Sequence, residues 1–188
     1  MIRKTSRESR PAATVYAGCK STKLKLSPCI FSIIFLVVFV GLSVNVGEAR
    51  QHATVAGGGS HGLGIRVDGT VVAWGNDVYG QCKIPAGLGG VVEVAAGSSH
   101  SLALRSDGTV VAWGYNPSGQ CNVPGDLSGV VAVAAGEDHS IALKSDGTVR
   151  AWGHNYHGES TVPQGLNNVV AVTAGFSHSL ALKSDGTV

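Results

Sequence analysis

The stretch His100–Gly114, HSLALRSDGTVVAWG, decides the fold, because it recurs in whole or in part four times at one fixed spacing. Its histidine has counterparts at His61, His139 and His178, each 39 residues from the next. Asp68, Asp107, Asp146 and Asp185 keep that step, and so do Trp74, Trp113 and Trp152. One period shared by three residue types marks a tandem-repeat chain.

Inside the stretch the apolar period is two, which is strand spacing. Asp107-Gly108 between two such runs predicts a hairpin with a two-residue turn, since that turn needs positive φ at both central residues. This register sets Leu102 opposite Trp113 and Leu104 opposite Val111. One face then carries four bulky side chains, and the other carries Ser101, Ala103, Ala112 and Gly114. Copies stacked bulky face on shallow face predict radially arranged sheets. Two further strands are expected, Val91–Ala96 before the hairpin and Gln120–Val123 after it, with Pro85, Pro124 and Pro163 closing the copies. Four short strands in a 39-residue unit suit a β-propeller blade. A solenoid coil of that length usually contains a helix, and no helical period is present. The expectation is an all-β propeller array of four-stranded blades, incomplete at about three and a half copies: 52–90, 91–129, 130–168 and a partial 169–188. The partial copy stops just past its Asp185-Gly186 turn, which predicts a fragment of a longer array, because open repeat ends need caps or closure.

The motif Gly-x-x-His-Ser-(Leu/Ile)-Ala-Leu-x-Ser-Asp-Gly-Thr-Val-x-Ala-Trp-Gly, followed by Asn-x-x-Gly-Gln, resembles the repeats of the regulator of chromosome condensation family, over about His52 to Val188. The resemblance implies a propeller, often seven-bladed, and among the nuclear members guanine-nucleotide exchange on a small GTPase. After Gly119-Gln120 the chain reads Cys-Asn-Val-Pro, where nuclear members usually continue Leu-Gly. That shorter form looks more like bacterial secreted members, which include an inhibitor of β-lactamases.

The formal charge of +2 hides a segregation. Met1 to Pro28 holds seven Lys/Arg against Glu8, whereas from Arg50 onward seven Lys/Arg face ten Asp/Glu. The repeats therefore offer no basic face for nucleic acid. Between these regions, Ile30 to Val46 contains no charged residue, and helix over it would span about 26 Å, near a bilayer's hydrocarbon core of ~30 Å. With the basic residues 1–28 ahead of it and Gly47-Glu48-Ala49 behind, segment 29–49 reads as one hydrophobic helix, a signal peptide or a signal anchor. Either reading puts the repeats across a membrane, secreted or periplasmic, with the membrane touched only by residues 30–46.

No enzyme signature is found. The four histidines sit at equivalent places in every copy and are expected to be framework groups bonding backbone near a strand start. His154, His157 and Glu159 share one loop, but HNYHGE has no trusted metal-ligand spacing. No serine sits in a nucleophile elbow, and Gly57-Gly58-Gly59 leads into no helix. Cys82 and Cys121 are equivalent, with Ser160 in their place in the third copy. Equivalent atoms of stacked sheets lie ~10 Å apart, too far for a disulfide, so both are expected to be small buried residues. The tryptophans are expected in the core. No catalytic residue, cofactor or metal is assigned.

Antiparallel order puts the loops 98–99, 137–138 and 176–177 at the same blade end as 76–79, 115–118 and 154–157, opposite the Asp-Gly turns. These loops differ most between copies and carry Tyr79, Tyr115, Tyr156, His157 and Phe176. Aromatics on a variable rim resemble interface anchors. The sequence thus predicts an exported, non-enzymatic interaction module that binds a protein or glycan through these five residues. The alternatives are an inhibitor of the β-lactamase type or an exchange-factor-like regulator.

Overall fold

The computed structural model describes residues 54–188. The basic leader and the expected hydrophobic helix of 29–49 lie outside the described residues. All described regular structure is strand, in four sheets ordered as the copies are. The first sheet holds β1 (Val55–Gly57), β2 (His61–Ile65) and β3 (Val71–Gly75), and the second β4 (Val91–Ala96), β5 (His100–Arg105) and β6 (Val110–Gly114). The third holds β7 (Val130–Ala135), β8 (His139–Lys144) and β9 (Val149–Gly153), and the last β10 (Val169–Ala174) and β11 (Ser179–Lys183). Each of the first three is an antiparallel meander with the middle strand second in sequence, and the last is an antiparallel pair. This is a propeller-like repeat, with three-stranded sheets where four strands were expected.

The expected fourth strand fails for a local reason. After β6 the backbone closes turns on itself, with Gly119 N–H donating to Asn116 O at 3.3 Å and Asn122 N–H to Gly119 O at 2.9 Å. Cys121 N–H is taken by the Asn116 side chain at 2.8 Å, and Pro124 has no N–H to give. Few donors are left for a ladder. Val123 and Leu127 of this segment pack instead against the core between the second and third sheets.

The hairpin register also differs from the expected one, by one residue. Ser101 pairs with Trp113, Leu102 with Ala112 and Leu104 with Val110. The loop is three residues long: Gly108 N–H donates to Arg105 O at 3.0 Å, and Arg105 N–H donates to Thr109 O at 2.9 Å. Gly108 takes φ 79°, the left-handed residue that completes such a loop. The Asp107 carboxylate accepts from both the N–H (2.9 Å) and the hydroxyl (2.6 Å) of Thr109, an arrangement a two-residue turn would not hold. A one-residue slip exchanges faces, so each face mixes large with small. Ser101, Ala103, Val111 and Trp113 look toward the first sheet, and Leu102, Leu104, Val110 and Ala112 toward the third.

Two cores follow, one per seam between complete sheets. Leu63, Val71, Val91, Val94, Ala103 and Trp113 fill the first seam, and Leu102, Leu104, Val130, Val133, Ala142 and Trp152 the second. A leucine from one sheet thus meets the alanine and tryptophan of the next. Trp113 and Trp152 are buried, but Trp74 is 48% exposed, against the expectation of three core tryptophans. No described sheet precedes Trp74. Its ring lies over Gly62 of its own sheet, where an added Cβ would come within 2.5 Å of it.

Candidate functional site: the loop rim

The repeated histidines, serines and glutamines make one bridge between neighbouring copies, and that bridge carries the rim loops. Ser101 Oγ donates to the Gln81 carbonyl at 2.9 Å, and the Trp113 indole N–H donates to the same oxygen at 2.8 Å. Gln120 O receives Ser140 and Trp152 in the same way, both at 2.9 Å. Because each serine hydroxyl donates to a carbonyl, it is left to accept from the histidine one copy earlier. His61 Nε2 meets Ser101 Oγ at 2.9 Å, His100 meets Ser140 at 3.1 Å, and His139 meets Ser179 at 3.0 Å. That fixes the proton on Nε2. The histidines are framework groups, as expected, and each bonds a serine side chain of the next copy.

Each ring is packed over the glycine three residues before it. A Cβ on Gly97 would overlap the His100 ring and stand 2.6 Å from the Gly136 carbonyl. His100 is fully buried, and its pKa is pushed down to about 4, first by desolvation, then by His139 and His61, with the Glu137 backbone opposing. Burial lowers His61 too, and lowers His139 against the pull of Glu159.

The glutamine side chain faces the other way and holds the loop. Gln81 Oε1 accepts from Tyr79 N–H at 2.9 Å, and Gln120 Oε1 from Ser118 N–H at 3.0 Å. In the third copy Glu159 takes this place: one carboxylate oxygen accepts from His157 N–H at 2.8 Å, and the other bonds His154 Nδ1. Desolvation pushes Glu159 up, but its own backbone, His154 and the His157 N–H outweigh that and hold it at about 2. These braces went unassigned in the sequence. The signal that could have found them is the polar Gln-Gln-Glu series at the 39-residue step beside an invariant glycine.

The five rim residues occupy the end opposite the Asp-Gly turns, but not as one cluster. Tyr79 and Tyr115 stack across two copies, with ring centroids 4.5 Å apart and planes tilted by 55°. His157 meets Tyr156 edge to face at 4.9 Å, with His154 6.5 Å from Tyr156 on its other pairing. Phe176 stands by itself among the described rings. Tyr156, Phe176 and Tyr79 are 84%, 70% and 53% exposed, whereas Tyr115 is half-buried. Val78 joins them as an exposed apolar residue that sequence reading left out. Beneath the aromatics a backbone ladder crosses the copies: Gly59 N–H to Gly97 O at 3.1 Å, Ser98 N–H to Glu137 O and Glu137 N–H to Phe176 O, both at 3.2 Å. The loops therefore differ in side chain while sharing a fixed floor.

The cysteines belong to the same loops. Cys82 and Cys121 are free thiols, half-buried rather than buried, lying against the carbonyls of Asn76 (3.2 Å) and Tyr115 (3.4 Å). Ser160 Oγ donates to His154 O at 2.6 Å in the equivalent position. Burial pushes Cys121 up to about 11, which removes nucleophilic character at neutral pH. A cleft of about 430 Å³ opens between the third and last sheets, walled by Ile141, Ala151, Glu159, Ser179 and Leu180, with His157 at its margin. Among the described residues no group of three His, Cys, Asp or Glu is placed to hold a metal.

The pattern described as the regulator of chromosome condensation (RCC1) repeat matches residues 53–81, 91–120 and 130–159. No curated protein matches the chain by sequence. Among solved structures it is similar to Prp20p from Saccharomyces cerevisiae, studied for its binding to Gsp1p and histones, at 26% identity and TM-score 0.62 over 70% of this chain and 43% of that one. Human WBSCR16 is similar at 25% identity and TM-score 0.60, over 70% of this chain and 44% of that one. The ectodomain of the Physcomitrella patens receptor kinase CR4 is similar at 25% identity and TM-score 0.57, over 71% of this chain and 38% of that one. The chain spans less than half the length of each. The glycines beside histidines and the serine bridges recur from copy to copy in register, joined twice by an indole bond, and the chain carries, in tandem, three repeats of the regulator of chromosome condensation family.

Proposed function

We propose that the array is a non-enzymatic interaction module that binds a protein partner through the loop rim. One observation carries the reading: Tyr79, Tyr156 and Phe176 are held out to solvent on the end that differs between copies, while the opposite end repeats the same turn. Large aromatics that a fold braces and yet leaves exposed are the side chains interfaces use as anchors. The groups whose pKa values burial shifts furthest, His100 and the half-buried Cys121, are used in or against the framework, which supports a binding role over a catalytic one. Delivery across a membrane by residues 29–49 is part of the proposal. The CR4 relative, itself an ectodomain, is compatible with such a setting.

The test is a Tyr79→Ala/Tyr156→Ala/Phe176→Ala variant of the full chain, used as bait beside the parent. The expected result is loss of partner capture with the melting temperature unchanged. Capture that survives all three substitutions removes the rim from the reading. A β-lactamase assay with and without the protein tests the inhibitor subtype. Nucleotide exchange is the second reading, favoured by the similarity to Prp20p, a protein studied with Gsp1p. Acceleration of nucleotide release from a small GTPase by this chain would replace the first reading with it.

A further inference from the structure

The rim's charge says what its partner carries. The rim loops 58–60, 76–80, 97–99, 115–119, 136–138, 154–158 and 175–177 contain Asp77, Glu137 and Asp138 and no lysine or arginine. Lys83 stands just beyond them. Apart from Lys83, whose side chain lies against Gly80 of the first rim loop, the cations of the described residues gather at the other end, each beside an acid: Arg66 by Asp68, Arg105 by Asp107, Lys144 by Asp146 at 3.1 Å, Lys183 by Asp185 at 3.2 Å. Arg150 is paired with Asp126 at 3.4 Å. One end is neutralised pair by pair, and the other holds Asp77, Glu137 and Asp138 against the single Lys83, among open aromatic rings.

Two of those carboxylates have charge their local structure does not use. Asp77 accepts from Cys82 N–H at 2.9 Å, and in the next copies neutral Asn116 and Asn155 do the same for Cys121 (2.8 Å) and Ser160 (2.9 Å). An amide meets that role as well as a carboxylate. Glu137 joins the ladder through its backbone alone, at a position occupied by Ser98 and Phe176 in the neighbouring copies. Asp138 differs, since its side chain accepts from Gln120 Nε2 at 3.0 Å.

Resting on the rim reading above, we infer that the rim takes a cationic segment of its protein partner, an arginine-bearing peptide whose guanidinium groups lie on the exposed faces of Tyr79, Tyr156 and Phe176 while Asp77 and Glu137 neutralise them. Guanidinium fits both halves of this surface, because it stacks on aromatic rings and pairs with carboxylates, where ammonium does mainly the second.

The experiment uses the full chain and three synthetic probes of equal length, hexa-arginine, hexalysine and hexaglutamate. Three variants accompany the parent: Tyr79→Ala/Tyr156→Ala/Phe176→Ala, the charge pair Asp77→Asn/Glu137→Gln, and Tyr156→Phe, which keeps the ring. The expected order of affinity is arginine, then lysine, with no glutamate binding. The aromatic variant should lose about tenfold in arginine-peptide affinity. The charge pair should lose at least about fivefold and flatten the salt dependence. Tyr156→Phe should bind as the parent does, and all variants should melt with the parent. Absence of arginine-peptide binding, or binding untouched by both multiple variants, overturns the inference. A natural partner captured by the parent, lost with the aromatics and indifferent to Asp77→Asn/Glu137→Gln keeps the rim and also overturns the cationic partner. Arginine binding that falls only with the charge pair overturns the role of the rings.

Discussion

At the scale of single residues, the glycines before the histidines are the sharpest constraint. Gly136 needs no unusual φ; what it needs is the absence of a side chain, because its Cβ would overlap the His139 ring and stand 2.6 Å from the Gly175 carbonyl. Backbone cannot yield as a flexible side chain would, so Gly136→Ala should cost about 3 kcal/mol of unfolding free energy. Gly125→Ala is the control, since nothing lies within 4 Å of a Cβ there. Denaturant midpoints of the two variants decide it, and equal midpoints would refute the packing argument. The 39-residue step made the equivalence of these glycines legible in the sequence. Their purpose was not, because a motif gives spacing along the chain while the ring and the facing carbonyl come from two different copies. The rim is legible to the same depth: topology put Tyr79, Tyr156, His157 and Phe176 at one end. Which aromatics pair across copies, and that Tyr115 is half-covered by Tyr79, depends on geometry no alternation pattern contains.

At the scale of the element, the hairpin teaches why register resisted reading. Asp-Gly serves both a two-residue turn and a three-residue one that ends on a left-handed glycine, and the alternation of HSLALR and TVVAWG fits either. What settles it is the Asp107–Thr109 bonding, in which a side chain inside the loop reaches the residue that follows it. The missing fourth strand is a similar case: the pattern was strand-like, but side chains and turns consumed its donors. The corrected register puts Trp152 between sheets with its indole N–H on Gln120 O, whereas Trp74 lies half-exposed over its own sheet. Trp152→Ala should therefore destabilise by roughly 3–5 kcal/mol, and Trp74→Ala by no more than about 1 kcal/mol. Ser140→Ala should cost about 1–3 kcal/mol, since it strands the buried His100 N–H and removes one donor from the Gln120 carbonyl. Unfolding curves of these three variants, ranked Trp152, Ser140, Trp74 in loss of stability, are the check. A Trp74 variant as damaging as Trp152→Ala would show that the open face of the first sheet is wrongly described.

At the scale of the whole molecule, the histidine bridges couple the stability of the array to pH. His61, His100 and His139 are neutral in the fold, with pKa values below 6.5 and His100 down at about 4. Between the folded and unfolded values the unfolded chain binds more protons, so stability must rise with pH across that window. It is complete above about pH 6.5 and is lost as pH falls toward 4. For His100 by itself the full window corresponds to roughly 3 kcal/mol. Each protonated histidine would also face Ser Oγ beside other buried histidines, so the loss is shared along the array and not confined to one copy. The turn aspartates respond elsewhere: hydrogen bonds from Thr148 and Thr187 hold Asp146 and Asp185 at about 2, so their contribution persists through this window and fades only in stronger acid. Melting temperatures measured from pH 7.5 to 4.5 should therefore fall most steeply below 6.5, and His100→Gln should start lower and fall less. A parent whose melting temperature is flat from pH 6.5 to 4.5 would mean that these rings are charged or solvated in the fold, and the bridge from histidine to serine to carbonyl would have to be redrawn.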